Sequence, residues 1–172
     1  MDEPRRSDDP TEQRVLDHLA EIGIEHEIVD CDPDLADTAA FCDAYGFALD
    51  DSANTILIAG KGDPPRHVAC IVLATTRLDV NRTVRHRLGV RKASFAGPDE
   101  TREVTGMLLG GVTPFGLPDG LPIWVDARVM ARDRIVLGGG SRSCKVVGPP
   151  SLLAALDQVE VVEGLATEPP PA

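Results

Sequence analysis

A chain of 172 residues is long enough for one domain and too short for two full ones. Apolar residues make up 42% but only six are aromatic, so the interior must be built from Val, Leu, Ile and Ala, and base recognition by stacking on aromatic rings is disfavoured. The net charge of −11 is concentrated in residues 1–51, with 16 acids and 3 bases; residues 52–172 hold 12 acids and 14 bases and can still attract a phosphate backbone.

Charged residues fill MDEPRRSDDPTEQ where a signal peptide needs an apolar core, and no run approaches about 18 apolar residues. The expectation is a cytoplasmic protein without membrane contact. Residues 1–9 read as a flexible N-terminus, after which Thr11 precedes Val15, Leu16, Leu19 and Ile22 at helical spacing, with Gly23 as the stop. EHEIVDC reads as a short strand, and Asp34 to Tyr45 as a second helix ended by Gly46. NTILIAG and HVACIVLATT, β-branched apolar runs on either side of Gly60 to Pro65, predict a hairpin of buried strands. Asp79 can cap a helix running to Leu88, VRKASFA reads as a strand, and Pro98 opens a helix to about Glu103.

TGMLLGGVTPFGLPDGLP shows neither helical nor strand periodicity and predicts a loop of the kind that carries function. Strand IWVD, an acidic-basic turn, strands RIVLGGG and SCKVVG, a helix from Ser151 to Leu156 and a last strand VEVV follow. One mixed α/β domain over residues 10–163 is expected, with 164–172 a disordered tail that buries nothing.

Cys31, Cys42, Cys70 and Cys144 form no CxxC pair, and no histidine spacing suits zinc, so free thiols and neither metal nor cofactor are expected. Ser141 and Ser143 have no histidine at a motif distance and no GxSxG elbow occurs, which argues against a protein nucleophile. The basic run Arg77, Arg82, Arg85, Arg87, Arg91 and Lys92 contacts phosphate or simply solvates a helix face.

In order and spacing, NTILIAG, DVNRTVRHRLGVRKASFA, TGMLLGGVTPFG, PIWVDARV and IVLGGG with Arg142 make the chain resemble the YbaK/prolyl-tRNA-synthetase-type editing domain family over about residues 11–157. The resemblance implies a curved mixed β-sheet or barrel-like core surrounded by helices. It also implies a pocket for the 3′ end of aminoacyl-tRNA, where water attacks the aminoacyl ester with help from backbone groups and the substrate's own ribose hydroxyl. Carried over residue by residue, it puts Gly110 and Gly111 at the catalytic centre, where a glycine backbone can approach the ester closely. It puts Thr113, Pro114, Asp126, Gly139, Gly140 and Thr38 against the substrate, with Asp37 beside Thr38 at the rim, and Arg82, Arg85 and Arg142 on tRNA phosphates. The plainer readings stay open beside it: the glycines shape tight turns, Asp126 caps the next turn, Arg142 forms a surface salt bridge, and Thr38 and Asp37 belong to a plain helix surface.

Most members begin the strand corresponding to NTILIAG with lysine, and here that position is Asn54, which keeps hydrogen-bonding capacity without the charge. Lys61 would stand about 20 Å away along an extended strand, and Arg66 or Arg142 could supply the charge only if the fold brings one near. The implied function is a free-standing deacylase removing a small mischarged amino acid, such as Cys or Ala, from proline tRNA, alone or beside a synthetase. The alternative is a catalytically weakened or inactive module that binds aminoacyl-tRNA or a small ligand. On this reading Asn54→Lys raises deacylation. Oligomeric state is not legible in the sequence.

Overall fold

A computed structural model describes residues 5–168, so the first four residues of the expected flexible N-terminus and the last four of the expected tail lie outside the described residues. Helix α1 (Pro10–Ile22) starts where Asp9 accepts hydrogen bonds from the amides of Thr11 and Glu12, and it ends at Gly23 in the left-handed region. Just before it, Arg5 is ion-paired with Asp30 at the end of strand β1 (Glu27–Asp30). A 3-10 turn (Pro33–Leu35) leads into helix α2 (Thr38–Tyr45), closed by Gly46.

The expected hairpin is present as β2 (Ala53–Gly60) and β3 (Arg66–Leu73), in antiparallel register from Ala53↔Leu73 to Gly60↔Arg66. After the short β4 (Arg77–Leu78), the helix expected from Asp79 to Leu88 divides into a π-helical turn (Val80–Val84) and α3 (Arg85–Leu88). Asp79 does not cap it: its carboxylate accepts instead from the Thr83 hydroxyl at 3.0 Å. Then come β5 (Ala93–Phe95), α4 (Pro98–Thr105) with proline in its first turn, and β6 (Ile123–Asp126). The turn expected next contains a helical turn, α5 (Ala127–Met130), before β7 (Ile135–Gly138), β8 (Cys144–Gly148), α6 (Ser151–Ala154), β9 (Val159–Val162) and β10 (Ala166–Thr167).

The architecture is mixed α/β, with a five-stranded sheet in the order β5-β2-β3-β6-β9, a three-stranded antiparallel sheet β1-β8-β7, and a β10-β4 pair. Of the two expected forms, a curved mixed sheet or a barrel-like core, the structure has a mixed sheet without barrel closure. Ser52 bridges Val136 where β2 meets β7, but from Ile58 onward β5 occupies that edge of β2, so β7 cannot extend the pairing.

The main core lies between the two larger sheets and includes Leu19 of α1, Leu57, Ile71, Ile123, Leu137 and Leu152. Val84, Leu88 and Trp124 belong to a second core on the opposite face of the five-stranded sheet, and Phe41 of α2 closes a third against Val136 and Val147. The tail expected to bury nothing is drawn into the second core: Leu165 and Ala166 are buried, and β10 pairs with β4, whose backbone would otherwise be an open edge. Between α4 and β6, Met107 and Phe115 are fully buried at either end of the glycine loop. Burial of each stabilises its anchor by about 1.5–3 kcal/mol, so the loop between them is held at both ends.

Candidate active site

The N-terminal end of α2, the start of β2, the glycine loop and the paired ends of β7 and β8 surround a cavity of about 220 Å³. Of the residues expected at a site, Asp37, Thr38, Asn54 and Gly110 line it. Thr38 donates its hydroxyl proton to Asn54 Oδ1 over 2.7 Å, which fixes the asparagine amide at the cavity wall. Thr55 also lines the cavity, and its buried hydroxyl has no hydrogen-bond partner among the described residues.

Gly111 does not line the cavity but holds it together. Its carbonyl accepts from the Gly140 amide at 2.8 Å, and a Cβ at Gly111 would stand 2.6 Å from the Ser141 carbonyl carbon. A Cβ at Gly139 would meet the Cys144 carbonyl oxygen at 2.6 Å. The two glycine runs therefore pack backbone against backbone, an approach that any side chain would block. Gly110 itself has φ 90°, in the region that favours glycine.

Arg142 stands at the mouth of this arrangement. Its Nε donates to the Pro33 carbonyl at 3.1 Å, and its Nη1 donates to the Leu109 carbonyl at 3.1 Å and to Asp37 at 3.2 Å. The guanidinium clasps the turn before α2 to the glycine loop, so most of its fork is committed inside the protein. Asp37 precedes α2 yet makes no capping bond, and its carboxylate serves this ion pair.

Other expected site residues are not brought to the cavity. Thr113 and Pro114 turn inward beside Phe115 and are buried. Asp126 is only 1% exposed at the end of β6, outside the cavity lining; burial raises its carboxyl above the usual range against the pull of Arg128, and its Oδ2 has no hydrogen-bond partner. Arg82 and Arg85 ride the helical segment that covers the second core, across the five-stranded sheet from the glycine loop. Arg66 donates to the Leu88 carbonyl at 2.7 Å, at the far end of β2 from Asn54.

The residue that sequence reasoning missed is Lys145. It lies on β8 in register with Gly138, is only 7% exposed, and lines the cavity together with Asn54. Its Nζ donates to the Gly110 carbonyl at 2.8 Å and lies 5.8 Å from the centroid of the Phe41 ring. Among the described residues it forms no ion pair with a carboxylate. Burial pulls its ammonium below the ordinary lysine value; the Arg142 guanidinium pushes the same way, while the Asp37 carboxylate opposes it. A signal was available: a lone cation inside CKVVG, an otherwise apolar strand, needs a reason to be there.

The cavity wall holds neither a histidine nor a serine paired with a general base. Ser141 donates to Glu12 outside it, and burial pushes the Cys70 and Cys144 thiols up to about 12, so neither is a thiolate near neutral pH. The geometry suits hydrolysis by positioned water, because hydrogen-bond donors and a close-packed glycine backbone line one cavity.

The family described as the aminoacyl-tRNA editing domain matches residues 32–156. In Escherichia coli (strain K12), the multifunctional Ser/Thr-tRNA deacylase ProXp-y is 27% identical over 154 residues, covering 88% of this chain and 91% of that protein. In Bacillus subtilis (strain 168), the uncharacterized protein YwhH is 26% identical over 140 residues, covering 81% and 87%. The fold is shared with a crystal structure of a candidate trans-editing enzyme for prolyl-tRNA synthetase, with a TM-score of 0.79 at 24% identity, covering 95% of this chain and 100% of that one.

Proposed function

Since this chain belongs to the aminoacyl-tRNA editing domain family, we propose that it is a trans-editing deacylase that hydrolyses the ester of a small amino acid mistakenly attached to tRNA. The observation that carries this reading is the convergence of Asn54, Thr38 and the Gly110 loop on one cavity of about 220 Å³. That volume is below the roughly 300–1,000 Å³ of sites for drug-sized ligands, which suits a small aminoacyl group with the terminal adenosine left at the mouth.

In this reading water adds to the ester carbonyl, the bond to the ribose 3′-oxygen breaks, and the proton from water ends on that oxygen with the ribose 2′-hydroxyl as relay. Free amino acid and tRNA with an intact 3′-hydroxyl leave. Donors placed where the oxyanion develops stabilise this step more than they stabilise bound substrate. Gly111, Gly139 and Gly140 act as positioning residues, while Thr113 and Pro114 anchor the loop from beneath.

The amino acid removed is either apolar and small, Ala or Cys on proline tRNA, or hydroxyl-bearing, as with the Ser and Thr of the Escherichia coli relative's name. The unpaired Thr55 hydroxyl favours the second, because a buried hydroxyl without a partner costs about 1–3 kcal/mol and a substrate hydroxyl would satisfy it. Release of free amino acid from alanyl- and cysteinyl-tRNA(Pro), seryl-tRNA and threonyl-tRNA tests the proposal. Turnover of at least one is expected, whereas binding of all four without turnover would favour a non-catalytic aminoacyl-tRNA binding module.

A further inference from the structure

We propose that Lys145 is a catalytic residue of this site, delivering from strand β8 the ammonium that stabilises the ester oxyanion and that Asn54 on strand β2 cannot supply. This role rests on the deacylase reading above and deepens it.

The argument begins with an imbalance. Lysine is almost never fully buried without a partner, yet Lys145 is 7% exposed and forms no ion pair with a carboxylate among the described residues. Its visible compensation is one hydrogen bond to the Gly110 carbonyl at 2.8 Å and a Phe41 ring at 5.8 Å. An ammonium carries three donors, so the bond to Gly110 leaves others for a ligand in the cavity that Lys145 lines. Such a residue weakens the fold unless the cavity uses it, and strained or destabilised positions of this kind concentrate at functional sites.

Its location specifies the use. The hydrogen-bonded pairs Lys145–Gly110 and Thr38–Asn54 line the same cavity, so an aminoacyl ester seated there comes within reach of both a charged donor and the Asn54 amide. As water adds to the carbonyl carbon, negative charge collects on the former carbonyl oxygen. An ammonium beside it makes a charge-assisted bond, about twice as strong as a neutral one. The charge falls away again when the ester bond to the 3′-oxygen breaks. Lys145 keeps its proton throughout, and the Gly110 carbonyl, which holds the ammonium in the free protein, is the acceptor that keeps it aimed.

The test compares wild type, Lys145→Met, Lys145→Gln, Lys145→Arg and the double variant Asn54→Lys/Lys145→Met, using whichever of the four aminoacyl-tRNAs above wild type hydrolyses fastest. Lys145→Met and Lys145→Gln are expected to lose roughly 10²–10³-fold in kcat, the typical loss for one oxyanion donor, with KM changed by only a few-fold. Both should melt no lower than wild type, because the buried charge has gone. Glutamine retains a donor for the Gly110 carbonyl, so it separates loss of charge from loss of that bond. Lys145→Arg should retain more activity than either neutral variant, and the double variant, which moves the ammonium to β2, should recover at least tenfold over Lys145→Met.

Undiminished kcat in Lys145→Gln, or a loss confined to KM, would overturn the role of Lys145 while leaving the deacylase reading intact. Absence of turnover by wild type on all four substrates would overturn the deacylase reading and the lysine's role with it.

Discussion

The amide of Gly140 donates a 2.8 Å hydrogen bond to the carbonyl of Gly111, which joins the loop before β6 to the turn after β7 beside the cavity-lining Gly110. Neither partner lines that cavity, yet both determine where Gly110 stands.

Gly111→Ala tests this joint. Its Cβ would come within 2.6–2.8 Å of the Ser141 backbone, which has no flexible side chain to yield. Overpacking of this kind costs about 1–3 kcal/mol, so both the melting temperature and kcat/KM should fall. Gly97→Ala is the control, because a Cβ there meets nothing within 4 Å. Equal behaviour of the two variants in melting and turnover assays would remove the argument.

Arg142→Lys distinguishes a clasp from a phosphate contact. A lysine cannot reproduce donors shared among the Pro33 carbonyl, the Leu109 carbonyl and Asp37. Turnover should drop about as much as in Arg142→Ala, while the salt dependence of tRNA binding stays the same. A binding slope that flattens by about one counterion would instead place the guanidinium on a phosphate.

Arg82 and Arg85 sit across the five-stranded sheet from the glycine loop, so the phosphate contact expected of them predicts an effect on affinity and none on the chemical step. Replacing both with alanine should weaken tRNA binding uniformly, reduce the salt slope by up to about two, and leave kcat at saturating substrate unchanged. Binding measured across a salt series, with single-turnover rates beside it, decides this. An unaltered slope would show that this face does not meet RNA.

Asp126 gives a pH signature. Burial raises its carboxyl in the folded protein, so its protonated form favours the fold. That stability is fully present below the ordinary carboxylate value and is lost as pH rises through the raised one. Wild type should therefore gain stability over Asp126→Asn on acidification from neutral. Denaturant unfolding at a series of pH values measures the difference, and parallel curves would show that the buried carboxyl has no such influence.

Much of this was legible in the chain itself. Val15, Leu19 and Ile22 ahead of Gly23 specify α1, and the β-branched runs on either side of Gly60 to Pro65 specify the β2–β3 hairpin, because local periodicity and turn chemistry act over a few residues. The glycine loop, with Gly110 at its centre, was also marked out by its lack of any period, and Thr38 and Asn54 were within reach of the family resemblance. Only the tertiary structure decided that Lys145 enters the same cavity, that Gly111 meets Gly140, that Arg142 turns inward as a clasp, and that Leu165 and Ala166 complete a core rather than trail away. Each of these relations joins residues far apart in the chain. Propensity and spacing carry no information about which distant backbone will lie beside a given side chain, so packing alone turned a lysine on one strand and a glycine on a loop into neighbours.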